Sequence, residues 1–251
     1  MSGLASCLDP GEVRIWHART DDVWASAEAS ATALAWLVPA ERARYARFRQ
    51  PADRAMFLLG HFMARILVGR ALNVAPTDWT WRETERGRPE IATPRSGVSF
   101  NIAHSVGLVV CALSCDGAVG VDVESRRRSV RDAGIVKRYC SPAEAADINA
   151  RGASGWHDQF LKYWTLKEAY LKATGLGLSV HLADLDFRLA DTGIELKFLD
   201  SLEGSDPDWS FQLSSVGADH YLATAVHTSG PPPRFEAAPL PAAWIPLAPA
   251  S

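Results

Sequence analysis

The sequence predicts an α+β protein of two similar lobes, because each half of the chain places helical patterns first and short strand patterns after them. In the first half, apolar residues recur at helical spacing as far as Leu72, and short alternating segments follow as far as Glu124. The second half repeats this order between Ile135 and Val226. We therefore expect two lobes, each with a small, mainly antiparallel sheet packed by helices, that meet near residue 115.

The first half is predicted to contain one strand, three helices and four further strands. The segments are a strand at Val13–Ala18, helices at Ala27–Leu37, Pro39–Phe48 and Ala52–Leu72, and strands at Trp79–Glu83, Val98–Ile102, Leu108–Ser114 and Val119–Glu124. A turn is expected at Gly87-Arg88-Pro89. Short turns separate the last three strands, which predicts an antiparallel meander.

The second half is predicted to contain three helices and four strands. The segments are helices near Ile135–Tyr139, Pro142–Ala150 and Gln159–Ala173, and strands at Asp186–Leu189, Ile194–Phe198, Ser210–Ser214 and Tyr221–Val226. The lobes accordingly span 1–116 and 117–229, and a tail rich in proline and alanine spans 230–251. The tail is expected to be extended, and both docking of its aromatic residues and disorder remain open.

The composition is that of an ordinary globular chain. Of 251 residues, 47% are hydrophobic and 22% charged, and the net charge of −3 argues against a basic nucleic-acid-binding surface. We find no apolar run of membrane-spanning length and no secretion-signal pattern at the N-terminus. The four cysteines lack metal or disulfide spacing, which predicts a reduced, cytoplasmic protein with Cys111 in the core.

The segment Val119–Glu124 is the first of two motifs that carry chemistry. Its apolar and polar residues alternate, as in a half-buried strand, so Asp122 and Glu124 leave the same face about 6–7 Å apart. Two carboxylates this close repel each other unless a positive charge lies between them. Hard oxygen ligands of this kind suit Mg²⁺, which also takes phosphate oxygens.

The second motif is WTLKEAYLK, from Trp164 to Lys172. On a helix, Trp164, Glu168 and Lys172 share one stripe, and Lys167 lies one step around the cylinder. If this stripe faces the strand with Asp122, three acids surround a cation and two lysines reach an anion. By itself, a Glu–Lys pair at this spacing is usually a surface ion pair.

These residues resemble the signature of the 4′-phosphopantetheinyl transferases. VGVD, then 41 residues, then WTLKEAYLK is similar to the paired acidic and KEA motifs of the monomeric type that activates peptide and polyketide synthases. FNIAHS at Phe100–Ser105 resembles the histidine motif of that family, and Gly87-Arg88-Pro89 resembles its Gly-Lys-Pro element. The basic helices of the family are matched near Ala40–Arg65.

The resemblance implies two pseudosymmetric lobes with the active site in the cleft between them. It implies transfer of the 4′-phosphopantetheine arm of coenzyme A to a serine of an apo acyl or peptidyl carrier protein, a transient partner. Adenosine 3′,5′-bisphosphate would be released, and the metal would be Mg²⁺, with Mn²⁺ as the alternative. A monomer that binds neither nucleic acid nor membrane is also expected.

The resemblance further assigns residues. It implies Asp122, Glu124 and Glu168 as metal ligands, and Glu168, Lys172 and His104 as catalytic residues. Glu168 is the candidate base for the incoming hydroxyl. Glu144 matches another acid near the metal. The residues implied to bind coenzyme A are Arg44, Arg47, Arg54, Arg88, Pro89, His104, Lys167 and Lys172.

Four positions depart from the family pattern. Ala103 replaces a serine, which removes one expected hydroxyl contact to coenzyme A, and Arg88 replaces a lysine. Met56 stands where an arginine is common, and Glu41 where a basic residue sometimes occurs. The residue that holds the 3′-phosphate therefore stays open among Arg44, Arg47 and Arg54.

Other interpretations remain open from the sequence. The basic run Arg126-Arg127-Arg128 is either a solvated cluster or a contact for the acidic helix of a carrier protein. A metal-dependent hydrolase of a pyrophosphate or phosphodiester would also use an acidic cluster, although it leaves the histidine and KEA motifs unexplained. A binding module without catalysis would be expected to lack a metal ligand, and all three acids are present.

Overall fold

A computed structural model of the chain describes residues 8–24, 27–85, 87–130, 134–177, 180–199 and 208–245. The elements in chain order are β1 Glu12–Arg19, α1 Thr20–Val23, α2 Ala27–Trp36, α3 Pro39–Arg47, α4 Pro51–Leu72, β2 Thr80–Glu83, β3 Pro89–Thr93, β4 Ser99–Ser105, β5 Leu108–Ser114, β6 Val119–Ser125, α5 Gly134–Tyr139, α6 Pro142–Ala150, α7 Gly152–Thr174, β7 Leu185–Ala190, β8 Gly193–Phe198, β9 Trp209–Val216, β10 His220–His227 and β11 Arg234–Pro239. Two lobes of mixed helices and small sheets result, which confirms the predicted fold class.

The N-terminal lobe is built on a four-stranded sheet in the order β11-β1-β5-β4. Strand β5 is fully buried, because its residues alternate between two apolar layers. Val109, Cys111 and Leu113 face α4, as predicted for Cys111, while Leu108 and Val110 face the other lobe. The hairpin of β2 and β3 forms a separate two-stranded sheet beside α4.

Helix α4 is the core helix of this lobe. Among the described residues it is the one helix long and apolar enough to cross a membrane, with a mean hydropathy of 1.4 in its most apolar stretch. The fold buries 72% of that stretch, and α4 packs on β4 and β5. Packing within the lobe therefore accounts for its apolar composition.

The C-terminal lobe pairs a three-stranded sheet, β6-β10-β9, with the long helix α7. Val119, Val121 and Val123 of β6 point to an apolar layer shared with β1, β4 and β5, so the two sheets enclose one interlobe core. Asp122 and Glu124 leave the opposite face and contact α7. The predicted alternation of this strand is correct, and α7 covers the face that carries the two acids.

Gly120 allows α7 to approach β6 closely. A Cβ atom at this position would lie 2.1 Å from the carbonyl oxygen of Ala169 and 2.3 Å from the nitrogen of Ala173. Any other residue would therefore push the helix away from the strand. The glycine next to the acidic motif is what permits the acidic and KEA motifs to lie in contact.

The predicted meander of three strands is wrong at its third strand. Strand β6 does not pair with β5 but with β10, and it lies alongside β4 without a backbone ladder. Side chains of β4 bridge the gap: Ser99 Oγ, Asn101 Oδ1 and Ser105 Oγ accept the backbone N–H groups of residues 119, 121 and 125 over 3.1–3.2 Å. The two lobes are thus joined by side chains along one seam.

Ala103 lies on the same face of β4 as the bridging residues. Its side chain is buried in the interlobe core and does not line the groove described below. A hydroxyl group at this position would face the seam with β6. The expectation that Ala103 removes a contact to coenzyme A is therefore not supported by its position.

The C-terminal segment is part of the N-terminal lobe as far as Ile245. Strand β11 pairs parallel with β1, and Trp244 packs against Trp16 and the guanidinium of Arg70. The proposed separate tail at 230–251 thus supplies an edge strand. Residues 246–251 lie outside the described part of the chain.

Candidate active site

Three adjoining cavities form a groove along the junction of the lobes. The largest, about 690 Å³, is lined by Arg44, Arg47, His61 and Trp81 among others. It shares Arg44, His61, Trp81 and Glu83 with a cavity of about 280 Å³. That cavity shares Gly87, Pro89, Asn101 and Lys172 with a third, of about 190 Å³, which also contacts Glu168. The groove therefore runs from the basic helix α3 to Glu168 and Lys172 near the C-terminal end of α7.

At its C-terminal-lobe end, the groove contains an ion pair between α7 and β6. Lys172 Nζ donates to Asp122 Oδ1 over 2.7 Å, and both side chains are largely buried. Lys172 lines the same cavity as His104 of β4. The predicted lysine and histidine, one from each lobe, thus line one space, and the predicted acid Asp122 contacts the lysine.

The three predicted metal ligands all have raised pKa values. Burial is the largest cause for each, and it raises the pKa of Asp122, Glu124 and Glu168. The charge of Asp122 raises the pKa of Glu124 and of Glu168 further, while Lys172 opposes the shifts at Asp122 and Glu168. Three crowded carboxylates with raised pKa values are stabilised in their ionised form by added positive charge.

Glu124 is held by two donors. Its Oε1 accepts the indole N–H of Trp164 over 3.0 Å and pairs with the guanidinium of Arg128, which also stacks on the Trp164 ring. Its Oε2 lies 3.5 Å from the hydroxyl of Ser105. Trp164, the first residue of the KEA motif, therefore orients Glu124. We call Asp122-Val123-Glu124 the DxE motif.

The oxygen atoms available here suit a divalent cation such as Mg²⁺. Asp122 is 7% exposed, and its Oδ2 is buried without a hydrogen-bond partner among the described residues. A buried carboxylate oxygen without a hydrogen-bond partner lowers stability. A bound cation would supply the missing partner. In the described ranges no three His, Cys, Asp or Glu side chains are already arranged to hold a metal. Lys172 and Arg128 are paired with Asp122 and Glu124.

His104 lines the middle of the groove from the N-terminal lobe. Partial burial, followed by the charge of Lys172, lowers its pKa. Its imidazole is therefore neutral near neutral pH and offers one N–H donor.

The predicted arginines separate into two groups. Arg44 and Arg47 are exposed and line the largest cavity. Arg54 instead donates to the carbonyl of Phe48 over 2.8 Å and stacks on Tyr45, so it joins α4 to the end of α3. The structure therefore does not bring Arg54 into the groove.

The prediction that Lys167 binds phosphate is wrong. Its side chain is 1% exposed, pairs with Glu144 Oε2 over 2.7 Å, and donates to the carbonyls of Leu182 and Leu185 over 2.7 and 2.5 Å. All three ammonium protons are thus used inside the C-terminal lobe. Glu144 also accepts the N–H groups of Ser141 and Phe187, so it too is far from the groove lining. The helical position of Lys167, one step away from Glu168, directs it into the core.

Arg88 and Pro89 line the groove as predicted, but the guanidinium of Arg88 has protein partners. It donates to the carbonyl of Ala173 over 2.9 Å and pairs with Glu90 over 3.1 Å. Binding of coenzyme A by this guanidinium, which the resemblance implies, would compete with these contacts. Pro89 lines two of the three groove cavities.

The basic run is not one free cluster. Arg128 is engaged with Glu124, and Arg126 stacks on Tyr221 and donates to Ser215. Arg127 pairs with Asp219, yet its side chain is 81% exposed. Of the three, Arg127 alone has the exposure that a partner contact requires.

Several groove residues were not predicted as site residues. His61 and Trp81 line the two larger cavities, and burial, then Arg65 and Arg44, lower the pKa of His61 to about 3. The sequence feature that could have identified His61 is its position as a histidine within the apolar stripe of α4. The only sequence feature that pointed to Asn101 was the motif FNIAHS. Trp164 orients Glu124 through a contact across 40 residues of sequence, which no local pattern predicts.

Two sequence profiles match adjoining parts of the chain. Residues 118–226 match the 4′-phosphopantetheinyl transferase superfamily, and residues 22–116 match the N-terminal 4′-phosphopantetheinyl transferase profile. The ranges meet at the junction between the lobes. This is the class of protein that the two-lobed fold and the groove indicate.

Individual proteins are also similar to this chain. A phosphopantetheinyl transferase of a Thraustochytrium species is 34% identical over 232 residues, which cover 86% of this chain and 79% of that protein. The 4′-phosphopantetheinyl transferase HetI of a Nostoc strain is 31% identical, over 72% of this chain and 76% of its own. A Bacillus anthracis holo-(acyl-carrier-protein) synthase structure, in complex with CoA (3′,5′-ADP), is 22% identical, with a TM-score of 0.37 over 46% of this chain and 98% of that one. The chain belongs to the 4′-phosphopantetheinyl transferase superfamily, and it is an enzyme of that type.

Proposed function

We propose that this chain transfers the 4′-phosphopantetheine arm of coenzyme A to a serine of an apo carrier protein and releases adenosine 3′,5′-bisphosphate, in a reaction that depends on Mg²⁺. One observation carries the proposal. A single groove is lined by Lys172 and Glu168 of one lobe and by His104 of the other. Lys172 also donates to Asp122, the first acid of the DxE motif. Membership of the transferase family supports the same reaction.

The groove offers separate regions for the nucleotide and for the diphosphate of coenzyme A. Arg44 and Arg47 give the α3 end a positive charge, and His61 and Trp81 provide ring faces there. An anionic nucleotide suits this combination, because arginine binds phosphate and aromatic rings stack on bases. The diphosphate would then extend toward His104 and Lys172.

The transfer exchanges the phosphoanhydride bond of the diphosphate for a phosphodiester bond to serine. The serine oxygen of the carrier forms a bond to the phosphorus that bears the pantetheine arm, and the bond to the bridging oxygen of the diphosphate breaks. The leaving group is adenosine 3′,5′-bisphosphate. In such reactions positioning and charge stabilisation supply most of the acceleration.

Each groove residue has a definite task in this scheme. Glu168 accepts the serine proton, directly or through water. Lys172 holds a positive charge beside the phosphates. The neutral His104 donates a hydrogen bond to a phosphate oxygen.

Asp122 and Glu168 would hold the divalent cation, with Glu124 as a further ligand if Arg128 moves. Bound there, the cation would neutralise charge on the diphosphate. The unpartnered Oδ2 of Asp122 supports its place in this set. We further propose a cytoplasmic monomer that meets its carrier transiently.

Intact mass spectrometry tests the proposal. The protein, coenzyme A and Mg²⁺ are incubated with apo acyl, polyketide-type and peptidyl carriers, and each carrier is weighed. We expect the mass of at least one carrier to rise by one phosphopantetheine group, and chelation of the metal to abolish the change. Unchanged masses throughout, beside a transferase known to be active, would refute the proposal. Release of adenosine 3′,5′-bisphosphate without any carrier would favour the hydrolase.

A further inference from the structure

Arg88 makes a contact that crosses from one lobe to the other. It stands just before β3, yet its guanidinium donates to the carbonyl of Ala173 in the last turn of α7, over 2.9 Å and 85 residues of sequence. Carbonyls in the last turn of a helix have no partner within the helix, and the helix dipole makes this end negative. A guanidinium at this point therefore caps α7.

The local structure holds Arg88 in this position. Glu90 pairs with the second arm of the guanidinium over 3.1 Å, so the planar group is held at two points. Helix α7 ends at Gly175, which has a φ of +67°, and a Cβ there would lie 3.3 Å from the Cβ of Arg88. The end of α7 thus packs on the stem of the arginine as well as on its charge.

The element that carries Arg88 is one wall of the groove. Trp81 and Glu83 of β2, with Gly87 and Pro89 beside Arg88, line its cavities. This hairpin is anchored to the N-terminal lobe by the buried Arg65, which donates to the carbonyl of Trp79 over 2.7 Å and stacks on Trp81. Arg65 in turn pairs with Glu41, which explains an acid at that position. Arg88 links this anchored wall to α7.

We infer that Arg88 is a positioning residue that joins the groove wall of the N-terminal lobe to the end of α7, and so sets where Glu168 and Lys172 lie relative to the bound nucleotide. The inference rests on the proposed function for its catalytic consequence. Lys172 is one residue from the capped carbonyl, so a displaced helix end moves it directly. The proposed nucleotide ligands Arg44, Arg47 and His61 all belong to the N-terminal lobe, so we expect their contacts to be independent of this link.

The Arg88→Gln variant tests the inference with three measurements. We expect kcat at saturating coenzyme A to fall about tenfold, since a small displacement of catalytic groups has effects of this size or larger. The Kd for adenosine 3′,5′-bisphosphate should change less than about threefold. Hydrogen exchange of a peptide from the end of α7 should be faster than in the wild type, while a peptide from α4 should be unchanged.

Matched variants separate positioning from other roles. Arg82→Gln removes an arginine of the same hairpin that also lies near Glu90, at 3.6 Å and 74% exposed, and should leave all three measurements unchanged. Arg88→Lys should restore part of kcat, because a lysine can reach one of the two partners. Glu90→Gln should lower kcat in the same direction but less, and it keeps the test valid if Arg88→Gln does not fold.

Two outcomes would overturn the inference. If Arg88→Gln weakens binding of adenosine 3′,5′-bisphosphate while kcat at saturation is kept, Arg88 is a ligand of the nucleotide. If exchange at the end of α7 is unchanged, the link does not hold the helix. The exchange measurement needs no substrate, so it decides the inference even if the wild type transfers nothing, which would refute the proposed function instead.

Discussion

Lys172 Nζ donates to Asp122 Oδ1 over 2.7 Å and thereby connects the KEA helix to the DxE strand at the inner end of the groove. The contact is possible because Gly120 lets α7 lie directly on β6. Its geometry places the ammonium group between a carboxylate and the space that His104 also lines. The lysine therefore pairs with Asp122 and lines the space in which we propose that phosphate binds.

Replacing Lys172 by glutamine should lower kcat about a hundredfold, the size observed when one preorganised donor to a transition state is lost. Steady-state transfer to a carrier protein measures the effect. Lys162→Gln is the matched control, because Lys162 lies on the same helix but near Gln159 and Tyr221. Equal losses in both variants would mean that Lys172 has no special role.

Lys167 should matter for stability and not for coenzyme A. Burial lowers its pKa and raises that of Glu144, and the two groups offset this cost for each other. Lys167→Met leaves Glu144 unpaired and should lower the free energy of unfolding by about 3–5 kcal/mol. Urea denaturation measures this loss.

The double variant Lys167→Met, Glu144→Gln should recover part of that stability, since no unpaired charge remains in the core. If Lys167→Met instead keeps its stability and loses affinity for coenzyme A, the phosphate role would have to be reinstated.

Stabilisation by a divalent cation should increase with pH. Asp122, Glu124 and Glu168 have raised pKa values, so the folded chain binds their protons more tightly than the unfolded chain does. Without metal, their ionisation lowers stability as pH rises from about 4, the ordinary carboxyl value, through the raised pKa values. A cation binds the ionised form and opposes this loss. The shift in Tm caused by saturating Mg²⁺ should therefore be larger at pH 7.5 than at pH 5.

Asp122→Asn is the control for the pH experiment, and it should reduce the Mg²⁺-induced shift in Tm at the higher pH. A shift of the same size at both pH values, or one that survives the substitution, would contradict binding at these carboxylates.

Variants of Arg44, which lines the groove, and of Arg54, which does not, should differ in coenzyme A affinity and in thermal stability. Arg44→Ala removes an exposed groove charge and should raise the Kd for coenzyme A about tenfold, the value of one charge-assisted hydrogen bond. Arg54→Ala removes the contact with Phe48 and should lower Tm with little change in that Kd. Calorimetric titration and thermal unfolding of both variants check this, and a reversed pattern would assign the nucleotide to Arg54.

The sequence alone predicts those structural features that have a local or periodic pattern. Helix α4 and strand β6 follow from their apolar spacing, and the common face of Asp122 and Glu124 follows from alternation. The proximity of the DxE and KEA motifs came from resemblance to a family, because no local pattern states which helix packs on which strand. The predicted helix Gln159–Ala173 begins seven residues late, since the polar turn Gly152–Asp158 lacks an apolar stripe.

Other features depend on contacts that are remote in sequence. Strand β6 was assigned to the first sheet because short turns favour hairpins, while its true partner is almost 100 residues away in β10. Strand β11 lies in a segment whose prolines argue against a strand, yet it is an edge strand, where missing N–H groups are tolerated. Lys167 differs from Glu168 by one position, and only the packing of α7 decides which of them faces the core.

A crystal structure of the protein with coenzyme A and Mg²⁺ tests the central claim most directly. We predict the diphosphate between His104 and Lys172, with the cation roughly 2.0–2.1 Å from oxygen atoms of Asp122 and Glu168. A nucleotide bound outside this groove, or a cation that touches neither carboxylate, would contradict the assignment.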